Sequence, residues 1–491
     1  MLAVLCTSLL LVAMDATILN VALPSLIDQL RPGVLQQLWI IDIYGLVLGG
    51  LLVSTGALGD RYGRKALFLA GFGLFGVASV VAATAGGSWQ LIAGRVLLGL
   101  GGALVMPSTL SLIRNIFTDP RERTLAIGIW AAVAGAGASI GPLVGGVLVE
   151  RYGWSAAFWV NVPVVVAAVA AGVWLLPEYK DPHPGRFDWP GACLSVVGIV
   201  ALAWGIKHVA KGSPSPADLL VLLLGLLALS AFAGRQLRLP DPLLDVRLFT
   251  KPAFVAAALA TLMAMLAIGA ALYLISLWLQ YVHGYPPFQA RLRTLPAALA
   301  TLTGALSAPW LMHHLGVRVL LGGSLLALAV GFAVLAVVPE PTTYPVVAVV
   351  LVALGLGDGL AITTGAAVLV STVPAARAGQ AGAVSETCYE LGGGLGVALL
   401  GSIHAAVYHG RFRQLPLGAR YLETARQSVG GAAEVARQVG GAARASVLAT
   451  ARAAFDSALT TTAYVSAGIV LAAAVLATVL VPRGFTVTAA H

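Results

Sequence analysis

Charge is scarce in this sequence. Only 10% of its 491 residues are Asp, Glu, Lys or Arg, while 59% are apolar. Soluble domains carry roughly 25% charge. A soluble fold of this length could not bury so much apolar surface, so lipid must serve as part of the solvent. Cysteine is scarcer still. Cys6, Cys193 and Cys388 lie in separate apolar runs, which excludes a disulfide framework and a zinc site. No Walker sequence follows a strand-like run, so ATP is not the energy source. No nucleophile–base constellation, metal set or cofactor motif is present, which argues against an enzyme. The net charge is +9, yet no basic stripe interleaved with aromatics exists for nucleic acid. Residues 2–13 resemble a signal-peptide core, but the apolar run continues through Ala22, so a first spanning helix is expected instead.

What is abundant is apolar sequence rich in glycine, with 57 glycines, a residue that lets membrane helices approach closely. A span needs about 20 apolar residues. Runs of that kind cover 2–23, 37–58, 66–86, 90–113, 124–147, 155–176, 190–209, 217–234, 253–281, 288–311, 317–338, 343–371, 380–409 and 457–481. That predicts fourteen spans, an all-α membrane protein with both termini on one side. With the N-terminus inside, the cytoplasmic loops hold fifteen Lys or Arg and the short outer loops six. The positive-inside rule then places both termini in the cytoplasm. The segment 410–456 falls outside in this scheme. Its seven arginines weigh against the rule, and its Ala-rich stretches split by Gly-Gly suggest a short helical hairpin.

Five segments carry more specific information. The first span ends MDATILNVALP (14–24). The turn between spans 2 and 3 reads GALGDRYGRK (56–65). Span 4 contains GRVLLGLGGALVMP (94–107), and span 5 contains AGAGASIGPLVGG (134–146). GWSAAFWVNVP (153–163) leads into span 6. In span 5, Gly137, Gly141 and Gly145 recur every fourth residue on one helix face, permitting backbone contact with a neighbour. Pro142 bends the same helix. In the turn, Gly59 and Gly63 allow a tight reversal, and Asp60 sits among Arg61, Arg64 and Lys65. Such an acid can pair with a basic neighbour or face a helix N-terminus. The basic residues also serve to fix topology.

Taken together and in this order, these segments resemble the major facilitator superfamily, specifically its fourteen-span drug:proton antiporter branch, with its quaternary-ammonium and methyl-viologen exporters. LWIIDIYGLVLGG, DPLLDVRLF and ETCYELGGGLGVALLG add to the likeness, which runs essentially end to end. The resemblance implies a major-facilitator fold of two six-helix bundles plus two inserted helices: 1–180, then 181–240, then 241–491. It also implies a latch built from Gly56, Asp60, Arg61, Gly63 and Arg64. LMHHLGVRVLL between spans 10 and 11 is a degraded echo of LGDRYGRKALFL, as a parallel repeat requires.

Charges inside spans cost from ~3 to above 10 kcal/mol, so each is a functional candidate. Five acids lie there, Asp15, Asp42, Asp358, Glu386 and Glu390, with one base, Arg95. Trp39 stands three residues before Asp42 on the same face, a pairing suited to a lipophilic cation. Glu386 and Glu390 are one turn apart, and two close acids in low dielectric resist double ionisation. Proton and cation competing for such a pair is the minimal chemistry of antiport. By resemblance, Asp15, Arg95, Glu386 and Glu390 belong to proton coupling and Asp42 to the drug pathway. Tyr44 and Tyr389 join Trp39 and Asp358 as candidate substrate contacts. Asp15 could instead only bond neighbouring backbone or Asn20. Some exporters of divalent cations carry an acid where this sequence has Thr301. Asp358 either replaces it or lies near a helix end without a role. The expected protein is a monomer in the bacterial inner membrane, moving lipophilic cations, antiseptics and dyes against protons. Two alternatives are export of an endogenous metabolite or antibiotic by the same fold and a non-transporting membrane sensor.

Overall fold

The computed structural model describes residues 1–32, 34–180, 187–209, 215–337, 343–374, 378–410, 418–439, 441–485 and 487. Among them there is no strand. The helices run α1 (Leu2–Leu30), α2 (Val34–Tyr62), α3 (Arg64–Ala83), α4 (Ser88–Ile116), α5 (Pro120–Tyr152), α6 (Ala156–Trp159), α7 (Asn161–Leu175), α8 (Trp189–Val209), α9 (Pro216–Gln236), α10 (Pro252–Leu277), α11 (Pro287–Leu315), α12 (Val317–Val337), α13 (Tyr344–Ser371), α14 (Ala378–Gly410), α15 (Ala419–Gln427), α16 (Val429–Gln438) and α17 (Gly441–Leu480). Helices dominate because lipid offers no partner for backbone N–H and C=O groups, and a helix satisfies them internally. Among the described residues, thirteen helices are long and apolar enough to cross a membrane. The 33-residue α5, which holds the expected fifth span, is not one of these thirteen; it packs on α1 and α11. Every expected span falls on a helix, with 155–176 shared between α6 and α7.

The helices overrun their apolar stretches. α1 continues through Pro24 to Leu30 and ends at Arg31 in the left-handed conformation. α17 has 40 residues, about 60 Å at 1.5 Å per residue, against a hydrocarbon core of about 30 Å. Its first turns therefore extend beyond the hydrocarbon core with α15 and α16, which pack on each other and on α17, while Phe455 and Asp456 already meet His404 of α14 and Trp278. The break between the two short helices is at Ser428, which accepts a hydrogen bond from Gly431 N–H, and not at the first Gly-Gly pair, which lies inside α16.

The packing is built twice. α1 pairs with α5, α2 and α3 with α4, and α3 with α7. Correspondingly, α10 pairs with α14, α11 and α12 with α13, and α12 with α17. The two sets meet through α2 against α14 and α5 against α11. The α2–α3 and α11–α12 turns also match, each with a glycine at positive φ, Gly63 at 110° and Gly316 at 79°, where other residues are strained. Between the two sets, α8 and α9 form a hairpin. Asp188 ties its ends, accepting from Arg235 Nε at 2.9 Å and Gln236 Nε2 at 2.8 Å. Burial opposes the Asp188 charge, yet Arg235, the Gly191 N–H and Gln236 hold its carboxyl below the usual range. A depressed carboxyl stabilises above its ordinary value, so the tie stands at neutral pH and fails only as pH falls through the lowered value.

Candidate transport site

Asp15 sits in the middle of α1 and Arg95 two turns into α4, with side chains 0% and 1% exposed. Arg95 Nη1 donates to Asp15 Oδ2 at 2.7 Å. Asn161 Nδ2, at the start of α7, donates to Asp15 Oδ1 at 3.1 Å and lies 3.2 Å from Ser79 Oγ of α3. Arg95 also reaches the Ile40 carbonyl at 3.3 Å and lies 4.4 Å from the Tyr44 ring centre. Asp15 is therefore held by partners from distant helices rather than by its own backbone. Asn161 was not singled out by sequence reasoning, although it stands in the VNVP segment. Tyr44 is 3% exposed and donates to the Val12 carbonyl, so here it braces the ion pair and presents no face to a substrate.

Glu390 of α14 lies against the neighbouring face of α2, beside Gly45 and Gly49. From Gly379 to Glu390 is eleven residues, about 16 Å along the helix, which puts Glu390 near mid-depth. Glu390 lines a cleft of about 150 Å³ between α2, α14 and α8. Two glycines of α2 stand beside it: a Cβ at Gly45 would lie 3.9 Å from Glu390 Oε2 and one at Gly49 3.7 Å from Glu390 Cβ, both ordinary contact distances. Glu386 does not line the cleft. It is 0% exposed, one turn away, and no donor among the described residues reaches either carboxylate oxygen. Tyr389 turns from the cleft toward α5, its ring 6.0 Å from Trp130. Asp358 and Thr301 meet across α11 and α13, with Thr301 Oγ1 donating to Asp358 Oδ2 at 3.3 Å. Asp358 is 3% exposed and stands beside position 301, not at a helix end. Trp39 stacks on Trp204 of α8 with centroids 5.1 Å apart. The Asp42 side chain lies outside the described residues, as does that of Pro142.

Small residues decide which helices touch. Gly137, Gly141 and Gly145 all face α1, where Cβ atoms would come within 2.9 Å of Ala13 Cβ, 2.2 Å of Thr17 Oγ1 and 2.5 Å of Ile18 Cγ1. The contact is within one half. α5 reaches the other half through Gly128, against the Ala305 carbonyl of α11. The repeat has a counterpart that sequence reading did not pick out: Gly392 and Gly396 of α14 face the Leu262 and Leu266 carbonyls of α10.

At the end of the bundle that carries Asp60, the halves touch. Arg64 donates to Asp60 Oδ1 through Nε at 3.0 Å and Nη2 at 2.7 Å. Gly379 N–H, in the first turn of α14, donates to the same oxygen at 3.2 Å. A carboxylate at a helix N-terminus complements the helix dipole. Gly56 lets α2 approach the Gly379 carbonyl, 2.6 Å from where a Cβ would be. Arg114 donates to the Val370 carbonyl near the end of α13. Arg61 instead lies over the Tyr62 ring. Glu178 completes the turn, accepting from Lys65 and Ala66 N–H at 3.2 Å, and it too escaped sequence reasoning.

A helical bundle built twice, with buried acids between its halves, defines a multi-pass membrane transporter, not an enzyme. The chain belongs to the Major Facilitator Superfamily, whose model matches residues 5–397. It is 41% identical to the multidrug efflux pump LfrA of Mycolicibacterium smegmatis, covering 96% of this chain and 94% of that protein. It is 36% identical to the methyl viologen resistance protein SmvA of Salmonella typhimurium, over 90% of each. It is 34% identical to the tetracenomycin C resistance and export protein of Streptomyces glaucescens, over 81% of this chain and 74% of that one. The human organic anion transporter MFSD10 shares the fold at a TM-score of 0.63 and 14% identity, covering 97% of this chain and 98% of that one.

Proposed function

We propose that this chain is a proton-coupled antiporter that exports lipophilic cations from a bacterial cell, acting as a single chain in the inner membrane. The observation that carries the reading is Glu386, buried with no donor reaching either carboxylate oxygen among the described residues and one turn from the cleft-lining Glu390. A carboxylate cannot stay charged and unpartnered in such a place. It must hold a proton there, and competition between that proton and a cation arriving at the neighbouring Glu390 is the coupling. Asp42, three residues after Trp39 in the sequence of α2, is a further acid, and Asp358 with Thr301 gives one in the second half. The efflux-pump relatives support drug-like substrates. The tetracenomycin C resistance and export protein of Streptomyces favours a second reading, an endogenous antibiotic or metabolite as the cargo.

With the Asp60 end cytoplasmic, as the Lys and Arg distribution favours, the structure is closed inward. The bundles 1–180 and 241–491 then rock about the cleft, and the Asp60–Gly379 contact is the latch that each cycle breaks.

Proteoliposomes with an imposed pH gradient test the function. Ethidium and benzalkonium should move against protons, and movement unaffected by collapsing the gradient would overturn the coupling. Antibiotics transported while both cations are ignored would select the second reading. Orientation has its own test. Ser446 is exposed on the projecting part of α17. Ser446→Cys in a cysteine-free background should react with an impermeant maleimide on intact cells. Reaction only after permeabilisation would reverse the orientation.

A further inference from the structure

We propose that the inserted helix α8 is the third wall of the cation cleft, and that Ile199, Ala203 and Ile206 on it determine which cations fit. This rests on the reading that the chain exports lipophilic cations.

α8 is docked along α2 for most of its length. Ser195 Oγ lies 3.5 Å from Ser54 Oγ. Val196 and Val200 close over Gly50, where a Cβ would come within 2.9 Å of Val200 Cγ2. Trp204 stacks on Trp39. Val196, Val200 and Trp204 recur every fourth residue, with Ser195 beside the first, so a continuous stripe of α8 faces α2. The helix also touches α14, and so bridges the two halves at their side. Its far side is covered by α9, which packs closely against it and exposes Leu219, Leu223 and Leu227 outward. α8 is therefore packed by α2, α14 and α9, with Cys193 and Val197 left on its exposed face.

The cleft wall follows from what each helix contributes. α14 supplies the polar groups, Glu390 and Thr387, with Leu391 and Leu395, and α2 supplies Leu46 between Gly45 and Gly49, which bring no side chain. The third wall is Ile199, Ala203 and Ile206 of α8, all apolar. The volume of about 150 Å³ is below the roughly 300–1,000 Å³ of sites that enclose a drug-sized ligand. The cleft fits a cationic head group, with the remainder of the molecule outside it. Head-group size is then set by α8, and alkyl-tail length is not.

Equilibrium binding to the purified protein tests this with two probes, tetraphenylphosphonium and dodecyltrimethylammonium. Ala203→Leu should weaken tetraphenylphosphonium about tenfold and dodecyltrimethylammonium less than threefold, as a methylene-scale change in an apolar pocket permits. Ile199→Ala and Ile206→Ala should shift the ratio the other way by about threefold or more. Leu202→Ala, on the side where Gly225 of α9 packs, should leave the ratio unchanged. If Ala203→Leu does not fold, the two Ile→Ala variants decide. An unmoved ratio in the folded variants overturns the role of α8 while the cation reading stands. Wild-type protein that binds neither probe overturns the cation reading, and this proposal with it.

Discussion

Glu386→Gln is expected to fold, to bind a lipophilic cation within about threefold of wild type, and to lose all gradient-driven efflux. Gln keeps the volume and the polarity of the side chain but cannot exchange a proton. Because Glu386 lies outside the cleft, its loss should spare binding and erase the dependence of binding on pH. Glu390→Gln should behave differently. Its carboxylate faces the cleft, so removing it takes away a counter-charge in a low-dielectric site. Binding of monocations should weaken by about tenfold, which is 1.4 kcal/mol, and efflux should fall to that of empty liposomes. Fluorescent-cation binding without a gradient, at two pH values, separates the two variants. Efflux at wild-type rate by both would remove α14 from the coupling mechanism.

The sequence makes the fold legible for a simple physical reason: each span must be apolar for its whole passage through the hydrocarbon, and fourteen such runs can be counted. It does not show where helices stop. Helices such as α1 and α17 continue past the apolar stretch into polar residues that still form backbone hydrogen bonds. The site is legible at the level of single residues. A buried Asp15 has to have a partner, but hydropathy carries no information about contacts between residues 80 apart, and nothing in the sequence joins Arg95 to it. The glycine face of α5 reads as a close-contact surface, yet its partner, α1, comes from topology alone. Thr301 and Asp358 are 57 residues apart, so the sequence leaves open whether one compensates for the other, and the hydrogen bond between them joins them. Trp39 reads as a ligand for a cation next to Asp42. Its stacking on Trp204 depends on where the inserted hairpin docks, which no local pattern encodes.

Breaking the Asp15–Arg95 pair should have the largest effect on stability. Both side chains are buried and 2.7 Å apart. Removing one partner of such a pair strands the other charge, at a cost of about 3–5 kcal/mol. Arg95→Gln and Asp15→Asn should therefore each lower expression and the apparent Tm in detergent. Arg95→Gln should do more harm, because Arg95 also holds the Ile40 carbonyl and the Tyr44 ring, whereas Asp15 has one further donor, Asn161. The double variant Asp15→Asn with Arg95→Gln replaces two charges by two amides that can still bond each other and Asn161, and it should recover most of the lost Tm. Transport then distinguishes a brace from a proton carrier. Residue 44 of α2 packs on Arg95 while residue 45 lies against Glu390. Protonation of Asp15 would release Arg95 and so free the helix that lines the cleft. On that basis the stable double variant should bind cations normally and fail to pump them. If it pumps with an unchanged pH profile, the pair only holds α1, α2 and α4 together, and proton coupling rests on α14 alone.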